Sequence, residues 1–569
     1  MSPKKLSLVL ASLMTGAILQ TPVEAASIKH VVLISIDGFH ENDLEWFVGS
    51  YPNSTMATLV KQGVHYTNAQ TPFPSDSFPG MVGMVTGGNP SSTGIYYDDA
   101  YSRDLLPCGC NSLSITTSGA EVGLFENLDL DFGGDGSTLT LDAGQGIKGL
   151  YPVQPLSAYS NPNQHPIFQL TGNATSLIDP SQLAKDPATG SRVYPHSYIK
   201  VNTIFEIAKQ KGLHTAWSDK HPAYEILNGP SGTGVDDLFA PEINSITNNP
   251  STYADWTKDD TLTVEYDAFK VQAVLNWAQG YDHAGNGNPG IPAIYGMNFQ
   301  TVSVAQKLNT SLIPGSSSTV TSVGGYDFSS GSPVPGPVLT AALQSVDAQL
   351  GRIKSQLGPN DAFILTAKHG QSPQNRADLT IINDGNMIAA LDAAWNSVTG
   401  GTDGLVDHAM DDDGVLLWLK VHTQEAADFA AGFLMNYSGT GIGSDANGNK
   451  TSKSFSNAGL QTVYAGTQAA QFMNVKTEDG RYPDVIGIAK VGSVYAGSKL
   501  SKIAEHGGDA SNDRHVPIVI WRGDKSVGKT VASNVSTVQV APTILKLLGL
   551  NPNSLQAVKL EKTKLLPGS

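Results

Sequence analysis

A chain of 569 residues that is 40% hydrophobic and 15% charged has the apolar content for a large core and exceeds one minimal domain, which excludes a disordered protein. Its net charge of −16 argues against a binder of nucleic-acid polymers, because neutralising a phosphate backbone takes a basic surface. An anionic ligand would have to be held locally, by a metal, a lysine or backbone amides.

In chain order, Lys4 and Lys5 precede an apolar stretch from Leu6 to Leu19 and the small-residue pattern Val23-Glu24-Ala25. Residues 1–25 therefore read as a secretory signal, and with no later apolar run of about 18 residues the rest is expected to be exported, to the periplasm or outside the cell, without a membrane span. The run His30 to Ile36 is continuously apolar and stops at Asp37-Gly38, the pattern of a parallel strand buried on both faces. In open α/β sheets the carboxyl end of such a strand is where ligands bind. Ser54 to Gly63 reads as a helix and Val64 to Asn68 as a strand. A loop follows, with Ser77 at the start of the small, apolar run Phe78 to Val85, where Pro79 suits a first helical turn. Cys108 and Cys110 are the two cysteines, placed to close a tight loop in an oxidising compartment and too few for a zinc site by themselves.

Signals weaken between Tyr101 and Tyr198 and again between Pro230 and Asp260, so inserts are expected at about 101–198 and 230–260. Between and beyond them the alternation resumes. Val201 to Gly212 reads as a helix and His214 to Ser218 as a strand ending in Asp219-Lys220-His221. Leu262 to Trp277 is helical, Ala293 to Phe299 a strand, and Val338 to Leu357 an amphipathic helix. Ala362 to Ala367 is a strand ending in Lys368-His369-Gly370. Gly414 to Lys420, Asp484 to Ile488 and Val516 to Trp521 continue the series as strands, and Val540 to Leu548 as a helix.

A serine at a helix start sits beside unpaired N–H groups and the positive end of the helix dipole, which favours an anionic ester next to its oxygen. The plainer reading of Ser77 is an ordinary N-cap. Several polar strand ends in one sheet, at Asp37, Asp219-Lys220-His221 and Lys368-His369, together with the turn Glu505 to Gly508, supply the residue types that hold a divalent cation beside a nucleophile.

The stretches LISIDGF, PSDSFPG, MVTGGNPSSTGI, His369-Gly370, His506-Gly507 and VAPTILKLLGL together resemble the alkaline phosphatase superfamily, nearest its type I phosphodiesterase/nucleotide pyrophosphatase branch. The resemblance implies an α/β fold for residues 26–569, a central mostly parallel sheet sandwiched between helices, with the site at the strand ends. It makes Ser77 the nucleophile, Asp37 and His369 ligands with Ser77 of the metal that activates it, and His506 a ligand of a second metal. Asp98 stands where the branch usually has an asparagine that holds a phosphoryl oxygen. The chain departs from the pattern at Lys368, where an aspartate ligand is expected, and at Asn298 and Val302, where an aspartate and a histidine are expected. One metal is therefore expected rather than two, zinc or alternatively manganese. Two repairs are open: Lys368 can stand in for a metal's charge, or His221, Asp219 or Asp282-His283 can complete a rearranged site. Lys220 is a candidate substrate-binding residue. The related sulfatase pattern has an arginine where this chain has Met81, which disfavours a sulfate ester.

These readings converge on a secreted, metal-dependent hydrolase of small phosphate esters, a phosphodiesterase acting through a phospho-Ser77 intermediate. The alternatives are a metal-poor binding protein of the same fold and a sulfatase or phosphomonoesterase.

Overall fold

The sequence His30–Ile36 forms β1, and alternate residues leave it in opposite directions into two apolar cores. Val31 and Leu33 enter one core, while Val32, Ile34 and Ile36 enter the other. The computed structural model describes residues 28–109, 119–130, 153–245 and 255–569. The signal-like residues 1–25 and Cys110 lie outside the described residues, as does part of each expected insert.

Around β1 lies a sheet built, in chain order, from β2 (Val64–Gln70), β3 (Ala216–Ser218), β4 (Asp237–Phe239), β5 (Ile294–Phe299), β6 (Asp361–Thr366), β7 (His515–Arg522), β8 (Lys529–Val531) and β9 (Val535–Ser536). Its order is β8-β2-β7-β6-β1-β5-β3-β4, with β9 also paired to β2. β6, β1, β5, β3 and β4 are mutually parallel, and β7 runs antiparallel to both β6 and β2. The helices Ser77–Thr86, Ile204–Lys209 and Val540–Leu547 cover one face. Glu41–Ser50, Thr55–Gln62, Asp260–Ala278 and Pro337–Lys354 cover the other. The mostly parallel, doubly covered sheet is the expected fold class, and burial on both faces explains why its strands read as unbroken apolar runs.

The expectation that Gly414 to Lys420 and Asp484 to Ile488 continue the main series needs correction. Gly414–Leu419 and Val485–Ala489 belong to a separate antiparallel sheet with Val406–Asp411 and Leu460–Ala465. Here Val415, Leu417 and Leu419 enter a third core while Leu416 and Trp418 enter a fourth, so this strand too is buried on both sides. An unbroken apolar run reports burial and leaves the choice of sheet open. Within 101–198 the described residues form a short hairpin, Asp99–Ser102 with Ala120–Gly123, a series of single 3₁₀ turns and the one-turn helix Pro195–Tyr198. Among the described residues no helix is long and apolar enough to cross a membrane.

Candidate active site

Two backbone contacts gather the strand ends. The Asp37 N–H donates to the Phe299 carbonyl at 3.0 Å and the Gly38 N–H to the His369 carbonyl at 3.1 Å, which ties the ends of β1, β5 and β6 together. Gly38 turns the chain at φ +76°, where a Cβ would come within 2.8 Å of Gln306 Oε1. The helix Ser77–Thr86 then comes down on the end of β6, an approach that Gly80 permits, since a Cβ there would lie 2.2 Å from the Lys368 carbonyl oxygen.

Ser77 is not the cap of its helix. Asp76 is the N-cap and its carboxylate accepts the Phe78 N–H at 2.9 Å, while the Asp76 carbonyl accepts the Gly80 N–H. Asp76 also accepts the Ser77 N–H, and Pro79 has none to offer. The amides of the first turn are thus taken up by Asp76, so the expectation that they cradle an anion is corrected. The Ser77 hydroxyl is left to the strand ends. Lys220 Nζ donates to Ser77 Oγ at 2.9 Å, His369 Nε2 lies 3.1 Å away, and Asp37 Oδ2 lies at 3.4 Å.

Each of these partners is held from behind. Asp37 is fully buried, accepts the Gln300 amide at 2.6 Å and lies 3.4 Å from Lys220 Nζ. His369 Nδ1 is 2.9 Å from the Gly370 carbonyl; it is the protonated nitrogen there, which leaves the Nε2 lone pair facing Ser77. Lys368, expected to face the nucleophile, instead bonds Asp219 at 2.8 Å and the Tyr224 hydroxyl at 2.7 Å, and its Nζ lies 4.1 Å from the Tyr224 ring centre. The lysine that reaches Ser77 is Lys220.

Burial alone would raise the Asp37 carboxyl, but Lys368, Lys220 and His369 beside it outweigh burial and hold it well below the usual carboxylate range. Burial lowers Lys220, yet the carboxylates of Asp37, Asp219 and Asp76 around it win, so it stays an ammonium. Burial, reinforced by Lys220, pushes His369 down to about 3, and burial also keeps His506 neutral. Asp76 is raised by burial to about 6. Asp98, raised to about 8 by burial and by Asp76, carries a proton at neutral pH and so offers an O–H donor.

The remaining expected residues sort themselves by position. The His506 ring lies tilted against that of His369, their centres 4.1 Å apart, and its Nδ1 lies 3.4 Å from Asp76 Oδ1. Asn298 and Val302 are fully buried, as are the partners of Lys368. His283 is held by Asp237 and the Leu170 carbonyl, so it completes no site with Ser77. His221 Nδ1 lies 2.8 Å from Glu242 Oε1, in a group with Glu126 whose donor atoms all fall within 4.8 Å of one another and can hold a metal ion. It does not join Asp37, Ser77 and His369. Gln300, Tyr224, Glu126 and Glu242 were not singled out from the sequence. Gln300 alone carried a signal, standing one residue past the end of β5.

The superfamily resemblance implies a divalent metal on Asp37, Ser77 and His369, and the donor set does not fit one. An ion bonded to Ser77 Oγ at about 2.1 Å would lie within about 5 Å of the Lys220 ammonium, a repulsion of about 6 kcal/mol or more at an effective dielectric of about 20. The missing carboxylate compounds this, because Lys368 brings a second positive charge to the same strand end.

A cavity of about 490 Å³ opens over this region, with Lys220, Asp98, Gln300 and His506 on its wall together with His221 and Glu126. Ser77 is 1% exposed, and Lys220, which donates to its Oγ, lines the cavity.

Residues 31–108 match the family model described as type I phosphodiesterase / nucleotide pyrophosphatase. No curated protein matches the chain. Among solved structures, murine ectonucleotide pyrophosphatase/phosphodiesterase 5, in an inactive form in complex with AMP, superposes with a TM-score of 0.51 at 12% identity, covering 92% of this chain and 96% of that one. The alkaline phosphatase PafA superposes with a TM-score of 0.56, also at 12% identity and over 92% and 96% of the two chains. The chain has the alkaline-phosphatase-like fold. Its resemblance to the nucleotide pyrophosphatase/phosphodiesterase branch lies in the stretch that carries Asp37, Ser77 and Asp98.

Proposed function

We propose that this chain hydrolyses small-molecule phosphate esters, diesters before monoesters, with Ser77 as the nucleophile and Lys220 in the position a metal takes in its relatives. The family match over residues 31–108 supports a phosphoester hydrolase. The observation that carries the finer reading is the environment of Ser77 Oγ, set between Lys220 Nζ at 2.9 Å and His369 Nε2 at 3.1 Å while Asp76 does the capping.

In this mechanism the anionic phosphoryl group enters from the cavity and meets Lys220 and the protonated Asp98. Ser77 Oγ bonds to phosphorus as its proton passes to His369 Nε2, and Lys220 stabilises the oxygen as charge develops on it. The phosphorus bond to the leaving oxygen, opposite Ser77 Oγ, breaks, and that oxygen takes a proton from water in the cavity. A water then attacks phosphorus from that same side and gives its proton back to the cavity water, the Oγ–phosphorus bond breaks, and Oγ takes the proton from His369, which releases phosphate monoester and restores Ser77. Asp37 holds Lys220 in place, and its low pKa keeps that anchor charged. A nucleotide-sized ester is a fitting first substrate class, given the cavity of about 490 Å³ and the AMP complex of the murine relative. The signal-like residues 1–25 support export.

The test is the turnover of bis(p-nitrophenyl) phosphate and of a nucleotide diester by the purified protein and by Ser77→Ala. A loss of about a thousandfold or more in the variant is expected. The lost ligands at Lys368, Asn298 and Val302 favour a second reading, a binding protein. Absence of turnover in the wild type, with the ester still bound, would choose it.

A further inference from the structure

We infer that Glu126, His221 and Glu242 form a binding site for one divalent transition-metal ion, manganese or zinc, in the cavity wall and separate from Ser77. Three segments distant in sequence converge there. Glu126 opens the 3₁₀ turn Glu126–Leu128 inside the first insert. His221 precedes the turn Pro222–Asn228, and Glu242 follows β4. The last two residues thus come from the carboxyl ends of parallel strands, and the first comes from the insert that folds over them.

Charge and burial argue for an ion. Glu242 is fully buried and His221 nearly so, and Glu242 is in hydrogen-bond contact with Asp129, another buried carboxylate. A buried carboxylate in contact with a second one and beside an imidazole supplies the donor types that hold a divalent cation. The donor atoms of Glu126, His221 and Glu242 lie within 4.8 Å of one another, and ligands around one ion at bonds of about 2.1 Å are spaced about 3.4 to 4.2 Å apart. His221 Nδ1 and Glu242 Oε1, 2.8 Å apart, are closer than that spacing, so an ion would replace their hydrogen bond and spread them, while the half-buried Glu126 on its short turn adjusts to reach it. Carboxylate oxygens with one imidazole suit manganese and zinc. Access is direct, because Glu126 and His221 face the cavity. The ion would clamp the first insert to the sheet, and Asp129 would orient Glu242 from behind. None of the three ligands falls in the segment that matches the phosphodiesterase family.

The inference is independent of the proposed reaction and is tested without it. The full chain is stripped with a chelator, desalted and titrated with manganese or zinc, and bound metal and thermal unfolding are measured. One equivalent per chain, with a melting temperature that rises with metal concentration, is expected. Glu126→Gln, which removes one charge at a half-buried position, should weaken binding tenfold or more, and His221→Ala should abolish both the bound equivalent and the thermal shift. Ser77→Ala and Asp37→Asn should keep both. A wild-type chain that binds no ion would overturn the inference, as would an ion retained by His221→Ala and lost by Asp37→Asn.

Discussion

Two groups of strand ends in one sheet carry different charge balances. Where the ends of β1, β3 and β6 meet, Asp37 and Asp219 face two ammonium groups, Lys220 and Lys368, so the protein supplies its own cations beside Ser77. At the ends of β3 and β4, a few residues further along the same edge, His221 is met by Glu242 and Glu126, with Asp129 behind. The difference teaches where each ligand belongs. On the proposed reading, an anionic phosphoryl group goes to the first place and a metal cation to the second, although the alkaline-phosphatase pattern would put metal at the first.

The comparison is broken most forcefully at Lys368. Its ammonium and the Asp219 carboxylate are both fully buried, so Lys368→Met leaves an uncompensated charge and should cost about 3–5 kcal/mol of stability, read from chemical denaturation. Lys220→Ala should leave the fold intact and lower turnover about 10²- to 10³-fold, because it removes the donor on the developing alkoxide. Lys220→Arg should recover part of that loss, and added zinc or manganese none of it.

A gentler change sharpens the comparison at Asp98. With a pKa raised to about 8, this acid is neutral below that pH and becomes a carboxylate above it, where it repels an anionic ester. The kcat/KM for a diester should therefore fall as pH rises through about 8. Asp98→Asn, which stays neutral at every pH, should keep the rate near neutrality within a few-fold and lose the alkaline decline.

Much of the frame was legible in the sequence because buried parallel strands are written as unbroken apolar runs that stop at a polar residue. That rule located Asp37, Asp219-Lys220-His221 and Lys368-His369 at the ends of β1, β3 and β6. Which lysine touches Ser77 was not legible. Asp219 and Tyr224 draw Lys368 away, and both contacts exist only once β3 and β6 share a sheet. The capping role of Asp76 has a local signal, since aspartate caps a helix as readily as serine. Glu126 and Glu242 carried none: they lie in irregular loops where no period marks a residue as special. The antiparallel sheet of the last third escaped for a related reason, because Gly414–Leu419 is buried on both faces just as a central parallel strand is.

The central claim is that Lys220, rather than a metal, activates Ser77. The most direct test is the steady-state turnover of bis(p-nitrophenyl) phosphate by protein stripped of metal and assayed in excess chelator, below its unfolding temperature. The account predicts the same rate, within a factor of about two, as for protein given zinc or manganese. A rate that collapses on stripping and returns with stoichiometric metal, in a protein that stays folded throughout, would contradict it.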